Sequence, residues 1–299
     1  MRYLALAFLA GCVGQPSPGG SHGADSGIDF IDAGATAADA AGTTADAGPQ
    51  PGDGVVWFTW PAQQSLSDPG WSASLTDIAN HLPAQYGSTY WDSDLITAAH
   101  ETSHGIHAHL RNYENDTGKR ANALYVLGDR AALVVEPDLR KSQIADYIPA
   151  ALRGPRFDTY ITGQTAWDDT PLYVWDEWNA YVNGAVVGVD QVSEGKWGNP
   201  WQDAVMGPLE FTIYALATVQ ATAELDPGYD ATQMRELFAW NARRAMETFR
   251  AGRTLPDFTW QTQDDYLNTF RTDPSAEPLR SFARQTFGDA WTEQVLLAP

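Results

Sequence analysis

The chain has 299 residues, with 18 Lys and Arg against 38 Asp and Glu, and a net charge of −20. This acid excess excludes non-specific binding to nucleic acid, which needs basic side chains to displace the counterions of phosphates. The hydrophobic fraction of 43% is enough for a core, and the only cysteine is Cys12. A disulfide within the chain and a cysteine-based zinc site are therefore excluded, so a metal must be held by His, Asp or Glu.

The first twelve residues are typical of a bacterial secretory signal. Arg2 precedes a short apolar run, and the run ends in small residues before Cys12. Leu9-Ala10-Gly11-Cys12 resembles the lipobox of bacterial lipoproteins. This resemblance implies that Cys12 is lipidated and anchors an exported protein at the cell surface or on a periplasm-facing membrane. A plain secretory signal with an incidental cysteine is the alternative.

Residues 13–54 differ in composition from everything that follows. They contain no Lys, Arg or Glu, six Asp, and mostly Gly, Ala, Pro, Ser and Thr otherwise. Such a segment buries too little apolar surface to offset its chain entropy, so we predict a disordered linker. All twelve Trp lie beyond it, which places a single folded domain at 55–299.

Within this domain, periodicity predicts an α+β fold in which helices outnumber strands. Strands are predicted at 55–60 and in a hairpin, 123–127 with 131–135, that turns at Gly128-Asp129. The second half is predicted to be mainly helical. The predicted helices are 72–82, 92–111, 142–152, 171–186, 208–224, 231–251 and, with a looser pattern, 277–297.

Four of the six histidines fall within 100–109, inside the predicted helix 92–111. His100-Glu101-Thr102-Ser103-His104 matches H-E-x-x-H, in which residues four apart share one helix face. Two imidazoles in this arrangement can bind Zn²⁺ while Glu101 reaches a water molecule as general base. The alternative is a helix whose histidines are buried or exposed without a metal. His107 stands one turn further on and is predicted to support a ligand rather than to bind the metal.

A third ligand is needed, and the position of the third metzincin histidine holds Leu110. The helix 171–186 contains Asp176-Glu177-Trp178-Asn179-Ala180, and with H-E-x-x-H the chain resembles the gluzincin branch of the zincin metallopeptidases over 95–190. The resemblance implies a zincin-like fold with Glu177 as third zinc ligand and a small Ala180 where two helices approach. Some gluzincins carry Asp four residues after this ligand, whereas this chain has Tyr181.

The same resemblance implies a tyrosine or histidine near the third ligand that stabilises the oxyanion. Tyr173 and Tyr181 each lie one turn from Glu177, and we favour Tyr173. Other roles stay open at this point. Substitute ligands are Glu194, Glu210 and Asp169, and candidate partners of the zinc histidines are Asp176, Asn112 and Asp92. The tryptophans 175, 178, 197 and 201 line a groove or fill a core, and Arg111, Arg153 and Arg156 form buried ion pairs or hold a substrate carboxylate.

Three functions are compatible with these residues. The first is a membrane-tethered, monomeric zinc metallopeptidase that cleaves polypeptides. The second is a zinc-dependent hydrolase of amides in cell-wall or glycan material, and the third is a non-catalytic surface binding lipoprotein. Glu101 disfavours the third, because a structural zinc site closes with a fourth protein ligand instead. The metallopeptidase requires His100, His104 and Glu177 to converge on a point about 2 Å from each ligand atom.

Overall fold

A computed structural model describes residues 56–90, 94–198, 203–260 and 262–299 of the chain. The predicted signal segment with Cys12, the predicted linker 13–54, Asp92 and Trp201 lie outside the described residues. None of the helices within the described ranges combines the length and apolar character that a membrane span requires.

The structure is helix-rich with one small antiparallel sheet, which confirms the α+β class. The strands are β1 (Val56–Thr59), β2 (Ala121–Tyr125) and β3 (Arg130–Val135). The helices are α1 (Ala73–His81), α2 (Leu95–His109), α3 (Tyr173–Ser193), α4 (Met206–Leu225), α5 (Thr232–Gly252), α6 (Gln263–Thr272), α7 (Glu277–Phe287) and α8 (Asp289–Trp291).

The sheet has the order β1-β3-β2, with Leu133 of the central strand opposite Val56 on one side and Ala123 on the other. The predicted hairpin is present, although β2 begins two residues earlier than predicted. Alternate side chains of β2 and β3 enter two different apolar clusters, so both faces of the sheet are buried. Burial on both faces explains why these strands are continuous apolar runs rather than alternating ones.

Two predicted helices are wrong in their extent. Residues 142–152 form two short 3₁₀ turns, Lys141–Tyr147 and Ala150–Leu152, because Pro149 holds Ile148 in an extended conformation. The segment 277–297 is interrupted at Gly288, whose φ of 87° ends α7, and it finishes as α8 and a π-helical turn.

The helix α6 was not predicted. Its buried residues are Gln263, Tyr266, Leu267 and Phe270, which have the i, i+3, i+4, i+7 spacing of a helix that packs on one face. The helix α3 extends seven residues beyond its predicted end. Its continuation buries Val187, Gly188 and Gln191 against the rest of the domain.

One buried acid on α1 has consequences for stability. Asp77 is only 4% exposed, so its carboxylate is almost fully withdrawn from water. Burial, together with the nearby charge of Asp129, raises the pKa of Asp77 to about 9. The folded state therefore binds this proton more tightly than the unfolded state, where the pKa is near 3.8.

We expect Asp77→Asn to stabilise the protein increasingly as pH rises. The proton on Asp77 favours folding below pH 4, and this contribution is lost as pH rises toward the folded pKa of about 9. The difference in unfolding free energy between the variant and the wild type should grow by on the order of 1 kcal/mol per pH unit between pH 5 and 8. Urea unfolding at several pH values measures it. The exposed Asp146→Asn serves as control, and a difference that stays constant with pH would contradict the prediction.

Candidate metal centre

The site is built on two antiparallel helices, α2 and α3, that pack closely. Asp94 caps α2 by accepting a hydrogen bond from the Ile96 amide at 3.1 Å. A Cβ on Gly184 would lie 3.0 Å from the Ile96 carbonyl oxygen, and one on Gly188 would lie 2.8 Å from the Ile96 side chain. The two glycines therefore permit the close approach, in addition to the buried Ala180 that the sequence indicated for this role.

Three ligand atoms from these helices meet at one point. The Nε2 atoms of His100 and His104 are 3.0 Å apart, and Glu177 Oε2 lies 3.5 Å from the first and 3.3 Å from the second. A tetrahedral ion that binds such atoms at about 2.0–2.1 Å keeps them about 3.3 Å apart. The mutual distances therefore fit a single metal ion between the two imidazoles and the carboxylate.

The chemistry of the donors also fits a cation. Glu177 Oε2 is buried, and the Nε2 atoms of His100 and His104 are its polar neighbours. Burial disfavours the charge of Glu177, but the imidazoles of His104 and His100 outweigh it and lower its pKa to about 2. Burial likewise opposes a charge on His104, yet the Glu177 and Asp176 carboxylates raise its pKa well above the usual value. The site thus favours positive charge, which a divalent cation would supply.

Asp176 orients the histidines from behind. Its Oδ1 is 2.7 Å from His104 Nδ1 and 2.6 Å from His107 Nδ1, and its Oδ2 accepts a hydrogen bond of 2.6 Å from Arg111. Burial would raise the pKa of Asp176, but His107 and His104 hold it well below its usual range. A carboxylate on the far nitrogen fixes the ring of His104 with Nε2 toward the metal position.

His107 does not reach the point where His100, His104 and Glu177 meet. Burial lowers its pKa, Nδ1 faces Asp176, and Nε2 accepts a hydrogen bond of 3.1 Å from the Asn179 side chain. His104, His107 and Asp176 also lie close enough together to form a second group of ligand type. Because Asp176 already binds both imidazoles and Arg111, this group is explained by hydrogen bonding alone.

Tyr173 contacts Glu177, the predicted third ligand, directly. Its hydroxyl donates to Glu177 Oε1 at 2.6 Å and also meets the Gln164 side chain, while its ring stacks on Trp167. Gln164 has a φ of 45°, an uncommon conformation for a residue other than glycine. The contact with Oε1 leaves Oε2 directed toward the two histidines, so Tyr173 is placed to position Glu177.

Tyr181 lies on the other side of the centre. Its ring contacts His100 with centroids 4.4 Å apart, and its hydroxyl is 3.2 Å from that of Tyr160. The Arg156 guanidinium lies 4.9 Å from the centre of the same ring. Gly207 makes room for this arrangement, because a Cβ there would come within 2.3 Å of Tyr181.

Glu101 is buried on α2 beside the two imidazoles. A carboxylate oxygen of Glu101 and the ligand nitrogens of His100 and His104 all lie within 4.8 Å of one another. The Glu101 carboxylate makes no hydrogen bond to a described residue, and the residue is 8% exposed. Among the described residues, none therefore holds this carboxylate beside the candidate metal position.

Other residues singled out in the sequence lie elsewhere. Glu210 is buried against Arg156, Glu194 pairs with Lys196 and Asp169 pairs with Arg120, so none replaces Glu177. Asn112 is exposed, and Arg153 donates to backbone carbonyls. The prediction that Trp175 and Trp178 line a groove is wrong, because both rings are fully buried and pack against Phe238. Trp197 packs partly buried on Phe258.

Sequence reasoning missed several polar side chains that support the site. Asn179 and Asn183 follow Asp176 at helical spacing and contact His107 and Ser103, and both are bound by Arg244. Two amide side chains on one face of an otherwise apolar helix could have indicated buried hydrogen-bonding partners. Gln164 lies in a loop, and nothing in the local sequence indicated its contact with Tyr173.

Comparison of the chain with protein-family models, with curated proteins and with solved structures finds no match. The chemical roles of the residues in this centre are therefore inferred from their types and their geometry alone.

Proposed function

We propose that the chain is a zinc-dependent metallopeptidase of the zincin type. The observation that carries this proposal is the convergence of His100 Nε2, His104 Nε2 and Glu177 Oε2 at mutual distances of 3.0–3.5 Å. Two nitrogens and one carboxylate oxygen are the ligand set of many catalytic zinc sites, which keep a fourth position open. Glu101 beside this position distinguishes the site from a structural zinc site, which closes with a fourth protein ligand.

The residues have separate roles in peptide hydrolysis. Zinc in such a site acts as a Lewis acid on water and on the substrate carbonyl. Glu101 accepts the proton that the water loses as its oxygen bonds to the carbonyl carbon. The same carboxyl group then gives the proton to the amine nitrogen as the carbon–nitrogen bond breaks. The Tyr173 hydroxyl is engaged in keeping Glu177 in place, so Tyr181, whose ring contacts His100, is the candidate to donate a hydrogen bond to the oxyanion in place of the Tyr173 that the sequence favoured.

The cellular setting is part of the proposal. The lipobox-like Leu9-Ala10-Gly11-Cys12 and the acidic, Gly- and Ala-rich segment 13–54 support export, lipidation at Cys12 and a tether to a bacterial membrane surface. Substrates would then be polypeptides outside the cytoplasm.

Metal analysis combined with a cleavage assay tests this function. We expect one zinc per purified chain and cleavage of an unstructured protein such as casein. A chelator should abolish cleavage, and stoichiometric zinc should restore it. His100→Ala should lose both the zinc and the cleavage, whereas His81→Ala, at a histidine that binds Asp129 outside the site, should keep the zinc. A chain that contains no metal and gains no activity from added zinc would refute the proposal.

We expect the two tyrosines to have different effects. Tyr173→Phe removes the hydrogen bond to Glu177 and should weaken zinc binding about tenfold. Tyr181→Phe should leave zinc affinity unchanged and lower kcat about 10²-fold if its hydroxyl binds the oxyanion. Competition with a zinc chelator and steady-state kinetics separate the two effects. Equal zinc affinity in wild type and Tyr173→Phe would contradict the positioning role.

A further inference from the structure

A cavity of about 240 Å³ adjoins the metal centre on the side of Asp176. It lies between the turn that follows α2, the strand β2 and the loop that precedes α3. Its lining includes Arg111, Arg120, Trp167 and Glu136, together with Tyr173 and Asp176 of the site described above. Two arginines facing one cavity stand out in a chain with 18 basic and 38 acidic residues.

The charges around the cavity favour an anion. Asp176 is engaged by Arg111 and two histidines. Glu136 accepts a hydrogen bond of 2.9 Å from the Leu172 amide, and burial raises its pKa to about 8, which disfavours its charge. Arg111 uses only one nitrogen, Nη1, in hydrogen bonds to described residues, and Arg120 pairs with the exposed Asp169 through its own Nη1. Each guanidinium thus keeps N–H groups for a ligand, and a carboxylate matches their geometry.

The aromatic wall is less suited to a sugar. Trp167 stacks against Tyr173 with an angle of 5° between the rings, and the Arg111 guanidinium lies 5.9 Å from its centre. The Trp167 indole therefore already contacts both Tyr173 and Arg111. A stacked sugar needs a free aromatic face.

The cavity shares two side chains with the metal centre. Tyr173 donates to Glu177, and Asp176 binds His104. A ligand in the cavity consequently lies next to the groups that hold the metal position.

We infer that this cavity is a carboxylate-binding subsite of the same active centre. The substrates would then be polypeptides with an acidic side chain or a terminal carboxylate near the cleaved bond. This inference rests on the proposed function for its link to cleavage, whereas the binding of a carboxylate can be measured without it.

Calorimetric titration of the full chain with the N-methylamide of N-acetyl-L-glutamate, whose only charge is the side-chain carboxylate, tests the subsite. The N-methylamide of N-acetyl-L-glutamine is the uncharged comparison. We expect one site that binds the acid at least tenfold more tightly than the amide. Arg120→Gln should weaken binding of the acid about tenfold. Arg253→Gln, which breaks a similar pair with Asp264 on the α5–α6 side of the molecule, should leave it unchanged.

Three outcomes would overturn the inference. They are equal affinity for the acid and the amide, no binding of either compound, and equal effects of the two arginine variants. Tighter binding of N-acetylglucosamine than of the acid would also overturn it, in favour of a sugar site. The two proposals are separated by measuring cleavage and carboxylate binding on the same zinc-supplied protein. Carboxylate binding by a chain that cleaves no polypeptide even with zinc would refute the peptidase and retain the subsite, whereas cleavage without carboxylate binding would do the reverse.

Discussion

Glu101→Gln should lower peptide cleavage by about 10²–10⁴-fold, the usual contribution of a general base. Glutamine has the shape of glutamate but cannot accept the proton from water. Glu101 is not one of the three converging ligand atoms, so the variant should keep one zinc per chain. The measurement is kcat/KM for a peptide substrate together with metal content by atomic absorption.

The matched control is Glu114→Gln, which makes the same chemical change at an exposed position in the turn after α2. Activity and zinc content should both be those of the wild type. Cleavage that is undiminished in Glu101→Gln with zinc still bound would remove Glu101 from its role. Loss of zinc together with cleavage would instead mean that this carboxylate helps to bind the metal.

Asp176→Asn should lower both stability and zinc affinity. Asp176 is 3% exposed and binds His104, His107 and Arg111, so an asparagine leaves buried donors without their anionic partner. Removing one partner of a buried ion pair costs about 3–5 kcal/mol, and losing the hydrogen-bond acceptor of a zinc histidine weakens metal binding about 10–100-fold. Urea unfolding in the presence of a chelator gives the first effect, and titration against a competing zinc chelator gives the second.

Asp169→Asn is the control for Asp176→Asn, since its pair with Arg120 is exposed and worth less than about 1 kcal/mol. We expect it to have nearly the stability and zinc affinity of the wild type. Destabilisation of Asp176→Asn without any loss of zinc affinity would show that Asp176 supports the fold alone.

Local patterns in the sequence account for the helix α2 and its histidines. Asp94 is a capping residue, and the repeat of apolar positions after it has the helical period, so His100 and His104 necessarily share a face. The same reasoning found the β2–β3 hairpin, because its turn contains Gly128 and Asp129 at positive φ. It failed at 142–152 and 277–297, where single residues, Pro149 and Gly288, override the periodicity.

The sequence by itself determined the pair of imidazoles with Glu101 between them, since residues four apart on one helix are neighbours whatever surrounds that helix. Only the tertiary structure decided that Glu177, from a helix seventy-odd residues away, faces that pair and that Asp176 supports it from behind. That outcome depends on how closely α2 and α3 approach at Gly184 and Gly188. The same packing places Trp175 and Trp178 in the core. The sequence could not show this, because a helix that is buried on nearly all sides gives no local sign of which face meets a site.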